Sequence, residues 1–165
     1  IIDERSCRHI FDVSYHSRFP HSLSLTHEWG KIQKMEKRIL IIDDDPFIRE
    51  LYEEVLVDAG FAVTTAENGE IGLEQLRKGG FAVILLDVMM PKLDGLGVLS
   101  KLQETVPENP NGPIILLTNL DHDPILDTAL KMGATAHILK ADILPPALVE
   151  LVNKTIANGT PQPVR

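Results

Sequence analysis

Four apolar runs of this sequence stop at residues able to do chemistry. Asp43 and Asp44 follow Arg38 to Ile42 (RILII), Asp87 follows Phe81 to Leu86 (FAVILL), Thr118 closes IILLT, and Lys140 follows Ala136 to Leu139 (AHIL). Like charges about 4 Å apart repel strongly, so carboxylates gathered in one place call for a cation among them. Magnesium is the simplest choice: it prefers oxygen ligands, keeps several waters, and uses one or two carboxylates together with phosphate oxygens. Lys140 adds a point positive charge for a phosphate oxygen, and Thr118 adds a hydroxyl donor. The set suits the receipt of a phosphoryl group by an aspartate.

The elements that must hold these residues follow from the runs themselves. Phe81 to Leu86 is long enough for a strand, too short for a helix and too uniformly apolar to have a wet face, so it is expected to be buried on both faces. Asp87 then stands at a strand's carboxyl end, where ligand crevices of open α/β sheets lie. Arg38 to Ile42, Ala62 to Thr65, Ile114 to Thr118 and Ala136 to Leu139 are the other expected strands. Between them, Pro46 opens a helix with Phe47, Ile48, Leu51, Val55 and Ala59 at helical spacing and Gly60 as its stop. A second helix starts at Asn68 or Glu67 and ends at Lys78 before Gly79-Gly80. A third carries Leu96, Leu99 and Leu102, and a fourth runs from Pro124 to Met132. The last runs from Asp142, a candidate N-cap, to Ala157. Val106 to Pro113 (VPENPNGP) is a turn-rich surface loop longer than the other connections. Five strands alternating with five helices predict an α/β fold: a parallel sheet covered on both faces through right-handed crossovers.

Composition narrows the function classes. The 165 residues, 44% hydrophobic, suffice for one domain with a sizeable core. A formal net charge of −8 disfavours nucleic acid and anionic membranes as direct partners and suits cations and basic surfaces. The single cysteine, Cys7, has no internal partner, and no apolar run is long enough to span a membrane, so a cytoplasmic place is expected. Residues 1–35 hold His9, His16, His21 and His27 at spacings that fit no metal finger, and they lack sustained periodicity. They are expected to be a disordered extension, with Met35 close to the domain start. Residues 36–158 then form the domain and 159–165 a flexible tail, with no output domain following. No G-x-x-x-x-G-K-[ST] or G-x-G-x-x-G is present, which argues against a P-loop or dinucleotide enzyme.

The strings ILIIDDDPFIR, VILLDVMMPKLDG, IILLTN and HILK resemble the receiver domain of bacterial two-component response regulators, over about Arg38 to Ala157. The resemblance implies a flavodoxin-like (βα)5 sandwich with strand order 2-1-3-4-5. It implies Asp87 as the phosphoacceptor, serving a sensor histidine kinase or phosphotransfer protein. Asp43, Asp44 and the main-chain carbonyl of Met89 would join Asp87 around Mg2+, Thr118 would close on the phosphoryl oxygen and Lys140 would pair with it. The domain would be a stand-alone regulator that switches a surface for a downstream protein target, catalysing its own phosphoryl transfer rather than turning over a substrate. His137, three residues before the lysine where the family has an aromatic, is the switch candidate. Dimerisation through the fourth and fifth elements is common in the family and stays open for this chain.

Several residues depart from the family pattern. Ala141 stands where a proline in a cis peptide is usual; a non-proline cis bond costs about 3 kcal/mol, so a trans bond is expected. Asn119 replaces a small residue. Met89 and Leu120 are apolar where polar groups would place a hydrolytic water, which points to a long-lived phosphoryl-aspartate. Asp94 is read as shaping its loop, Met89, Met90 and Met132 as packing residues, and Arg49 as a solvated helix charge. The alternative function is a phosphorylation-independent module that keeps the fold without the chemistry. Asp43-Asp44-Asp45 also resembles the D-x-D of haloacid-dehalogenase-type phosphatases, but Phe47 stands where that family has Thr or Val.

Overall fold

A computed structural model of the chain describes residues 36–119 and 124–158. The expected extension over 1–35, the tail over 159–165 and Leu120 lie outside the described residues. The elements run β1 (Arg38–Ile42), α1 (Pro46–Asp58), β2 (Ala62–Ala66), α2 (Gly69–Lys78), β3 (Val83–Asp87), α3 (Gly95–Gln103), β4 (Ile114–Thr118), α4 (Pro124–Lys131), β5 (Ala136–Leu139) and α5 (Pro145–Ala157). The strands form one parallel sheet in the order β2-β1-β3-β4-β5. The order places β1, β3 and β4 inside, and these are the strands whose sequences are unbroken apolar runs.

Those runs serve two cores at once, because successive strand residues point to opposite faces. Leu40, Ile42, Ile84, Leu86 and Leu116 pack with Leu76 of α2, Leu99 of α3 and Leu126 of α4. Ile39, Ile41, Val83, Leu85 and Leu117 meet Tyr52 and Leu56 of α1 and Leu148 and Val152 of α5. At ~25 cal/mol per Å² of apolar surface removed from water, a fully buried Leu or Ile contributes roughly 1.5–3 kcal/mol, so this double use of each strand supplies much of the folding drive. The edge strands have less to bury: β2 and β5 are mostly intermediate in exposure, and His137 of β5 is exposed.

Local signals set most boundaries. Asp45 caps α1, accepting from the N–H of Phe47 and of Ile48, and Pro46 begins the helix, where its missing N–H costs no bond. Asn68, not Glu67, caps α2 in the same way through Glu70 and Ile71. Asp94 caps α3 through Gly97, which settles its loop-shaping role.

Four expectations need correction. Strand β3 begins at Val83, not Phe81; the Phe81 N–H goes to the Asn111 side chain, at Oδ1, and not to a neighbouring strand. The inward stripe of α1 is Ile48, Tyr52 and Leu56 at i, i+4, i+8, so Phe47 at 79% exposure and Leu51 at 41% face solvent. Helix α5 starts at Pro145 with Leu144 as a cap that makes no side-chain bond; Asp142 instead spends its N–H on the Leu139 carbonyl in the preceding turn. Met90 is buried and Met132 packs on the core as expected, but Met89 does not pack. No helix among the described residues is long and apolar enough to cross a membrane.

Candidate functional site

Parallel register brings the chemistry-bearing residues to one edge of the sheet. Ile42 pairs with Leu86, Asp87 with Leu117, and Thr118 with Leu139, so Asp43, Asp87, Thr118 and Lys140 leave adjacent strands at nearly one level. Asp43 extends the β1 ladder by donating its N–H to the Ala66 carbonyl at 3.1 Å. Its Oδ1 accepts the Asp45 N–H at 3.0 Å, which turns the chain into α1 and leaves Asp44 exposed at the bend. Asp87 Oδ1 accepts the Met89 N–H at 3.2 Å. Gly95 starts α3 so near Asp87 that a Cβ there would press on the Asp87 carbonyl.

One cation joins two of the acids. Lys140 Nζ lies 2.7 Å from Asp43 Oδ2 and 2.9 Å from Asp87 Oδ2. Its backbone is held by the Lys140 N–H donating to the Thr118 carbonyl at 2.8 Å. The described residues contain no cis peptide, so the Lys140–Ala141 bond is trans as expected, and the lysine reaches both acids with alanine after it. Both acids are almost wholly buried, Asp43 at 0% and Asp87 at 4% exposure. Burial pushes the Asp87 carboxyl above its ordinary value; the bond to Lys140 opposes that rise and nearby Asp43 adds to it. Burial lowers the Lys140 ammonium most of any single cause, but the bonds to Asp43 and Asp87 together outweigh it and the net direction is upward. The Tyr52 phenol beneath the site is also pushed up, by burial first and by Asp43 to a lesser degree, against the pull of Lys140.

The donor set fits a hard divalent cation. One carboxylate oxygen from each of Asp43, Asp44 and Asp87 lies within 4.8 Å of the others. Asp43 Oδ2, wholly buried, has the ion pair with Lys140 but no well-directed hydrogen bond, so it retains coordinating capacity. An all-oxygen group with one exposed member, Asp44, matches the habit of Mg2+ of keeping water while using few carboxylates.

Residues 39–153 match the family model described as the response regulator receiver domain. The chain belongs to that family. Among curated relatives, the transcriptional regulatory protein YkoG of Bacillus subtilis is 37% identical over 127 residues, 76% of this chain and 54% of its own. DltR of Streptococcus agalactiae is 36% identical over 103 residues, 62% of this chain and 45% of its own. This receiver chain thus spans about half the length of the curated relatives it matches. A CheY-like receiver domain from Methanospirillum hungatei superposes with a TM-score of 0.67 at 28% identity, covering 74% of this chain and 95% of that one. The BeF3-activated N-terminal receiver domain of RstA from Klebsiella pneumoniae gives 0.63 at 29% identity, covering 73% and 98%.

Of the residues singled out in the sequence, Asp43, Asp44, Asp87 and Lys140 come together, and Thr118 lies buried on the strand beside Asp87. Met89 directs its N–H at Asp87 while its side chain, 61% exposed, stands in solvent. His137 is at the surface of β5. One participant was missed. Arg49, read as a solvated charge, is half-buried and donates from Nη1 to the Asp43 carbonyl at 2.7 Å. The only sequence signal was its place one helical turn after the Asp45 cap.

Proposed function

We propose that this receiver domain accepts a phosphoryl group on Asp87 from a phosphohistidine of a partner kinase or phosphotransfer protein, in a Mg2+-dependent reaction. The observation that carries the reading is the Lys140 ammonium shared between buried Asp43 and Asp87, with Asp44 beside them. An oxygen of Asp87 attacks phosphorus, the phosphorus–nitrogen bond of the phosphohistidine breaks, and the imidazole leaves with the electron pair. Asp43, Asp44, Asp87 and the Met89 carbonyl are the groups that would hold Mg2+, which when bound supplies neutralisation of the charge spread over the transferring oxygens. The protein's own part is positioning. The Met89 N–H fixes one Asp87 oxygen, and Lys140, already paired to the other, is placed to follow the new charge onto the phosphoryl group.

In this reading Thr118 donates its hydroxyl to the phosphoryl oxygen, and the exposed ring of His137 reports the rearrangement to a protein target. Phe47 in the first turn of α1, Met89 between β3 and α3, and Leu144 before α5, exposed by 79%, 61% and 72%, stand where three of the five strands leave this edge of the sheet. Apolar side chains so exposed support a protein partner over a small phosphodonor alone. The full chain's net charge of −8 supports a target other than nucleic acid or membrane, and the reducing cytoplasm suits its lone cysteine, Cys7. The match covers only about half the length of the curated relatives, so a stand-alone regulator is no part of this proposal.

Incubation with acetyl phosphate and Mg2+ is expected to add one phosphoryl mass to the intact protein and none to Asp87→Ala. No addition to either would favour the phosphorylation-independent module. Omission of Mg2+ is expected to remove most of the addition to the wild type.

A further inference from the structure

We infer that Arg49 is a positioning residue for the acid cluster: acting through the Asp43 main-chain carbonyl, it fixes the turn that presents Asp43 and Asp44 and thereby sets the affinity for Mg2+. The inference rests on the metal-dependent reading above. Arg49 Nη1 donates to the Asp43 carbonyl at 2.7 Å, a short charge-assisted bond from a half-buried side chain. The same short turn is tied at its other points, by the Asp43 N–H to the Ala66 carbonyl, by the Asp45 N–H to Asp43 Oδ1, and by the Arg49 N–H to the Asp45 carbonyl. Without the guanidinium, the Asp43 carbonyl would keep its place only through bonds made by its neighbours. Asp44, exposed at the bend, takes its orientation from this peptide chain.

Charge alone predicts the opposite sign. A cation on the edge of a carboxylate cluster repels a metal ion, so deleting Arg49 as a mere charge would tighten Mg2+ binding. Deleting it as a positioning group loosens the donor set and weakens binding. A solvated helix charge would leave the affinity unchanged.

The test is calorimetric titration of the full chain with Mg2+ well below its melting temperature, for wild type and Arg49→Met, which keeps an apolar stem of similar volume. Arg49→Met is expected to bind Mg2+ about tenfold more weakly, the order of one hydrogen bond to a charged group. Arg49→Lys, which can still donate to the carbonyl, is expected to recover most of that loss. In the metal-free proteins the Asp45 amide resonance is expected to move in Arg49→Met and to return in Arg49→Lys. Unchanged or tighter Mg2+ binding by Arg49→Met, or an unmoved Asp45 amide, overturns the inference. Should Arg49→Met fail to fold, Arg49→Gln, whose amide ends two atoms short of the guanidinium nitrogens, carries the same expectations. A wild type that takes up no Mg2+ would overturn this inference and the metal reading together, whereas normal Mg2+ results without phosphorylation would leave Arg49 standing and remove only the phosphoacceptor.

Discussion

The two edges of this sheet carry polar residues of similar size and use them in opposite ways. At the edge where the strands begin, the long loop after α3 is stitched to the end of α2 by neutral bonds. Asn109 Nδ2 donates to the Lys78 carbonyl at 2.9 Å, Asn111 Nδ2 to the Leu76 carbonyl at 2.8 Å, and the Glu108 N–H to the Arg77 carbonyl at 2.8 Å. Helix ends leave carbonyls without intrahelical partners, and here another segment of chain supplies the donors. Gly79, with φ of +69°, fits because a Cβ there would fall on the Asn109 carbonyl. At the opposite edge, Asp43 and Asp87 are buried together and one lysine serves both. One edge consists of groups that complete each other. The other holds an arrangement that burial disfavours and that the rest of the fold must sustain, a common signature of functional sites.

The contrast breaks most visibly at Asn111. Asn111→Ala leaves the Leu76 carbonyl and the Phe81 N–H without their present partners in a partly buried place. The expected cost is about 2 kcal/mol of unfolding free energy. Chemical denaturation should show it as a lower midpoint with an unchanged slope, while Mg2+ affinity, read at the other edge, stays within error of wild type.

Asp87→Asn should shift stability the other way, and by less. Burial holds the folded carboxyl above its ordinary value, so ionised Asp87 destabilises the metal-free protein at neutral pH. That cost is present above the folded pKa and fades as pH falls through it toward the ordinary carboxylate value. The neutral amide should therefore raise the thermal midpoint at pH 7 without metal, and the gain should shrink in acid. Mg2+ should reverse the ranking: at a hundred times its dissociation constant it stabilises a one-site protein by about 2.7 kcal/mol, and Asp87→Asn should gain less of this. A wild type more stable than Asp87→Asn at pH 7 without metal would mean that Lys140 fully offsets the burial of the acids.

The same contrast explains what could be read from the sequence. The acids, Thr118 and Lys140 were legible because each terminates an apolar run, and parallel register then carries run ends to one edge. The start of α1 at Pro46 and of α2 at Asn68 or Glu67 was legible because such signals, like the Asn68 cap bonds, reach only two or three residues along the chain. Asn111 reads only as a turn residue, since its partners lie 30 and 35 residues away. One of those bonds takes the N–H of Phe81, the residue at which β3 was expected to begin. The stripe of α1 was misplaced because Phe47 and Leu51 share helical spacing with Ile48 and Val55, and spacing alone does not say which of two apolar faces meets the sheet. Arg49 was misread for a related cause, as its partner is a main-chain carbonyl, which no sequence pattern displays.

The smallest effect should come from Leu144, which occupies a helix cap without capping and is 72% exposed. Ser or Asp at such a position ordinarily stabilises a helix by about 1 kcal/mol. Here Pro145 and Pro146 fill the first two helical positions and have no N–H, so only the Ala147 N–H, now bonded to the Leu144 carbonyl at 2.9 Å, remains for a new side chain. Leu144→Ser is therefore expected to raise stability by roughly 0.5 kcal/mol, the low end of that range. If the leucine is kept at this edge for a partner, the same substitution should slow phosphoryl transfer from a kinase while leaving the rate with acetyl phosphate unchanged. Equal slowing with both donors would place its effect in the acid cluster and remove Leu144 from the docking rim.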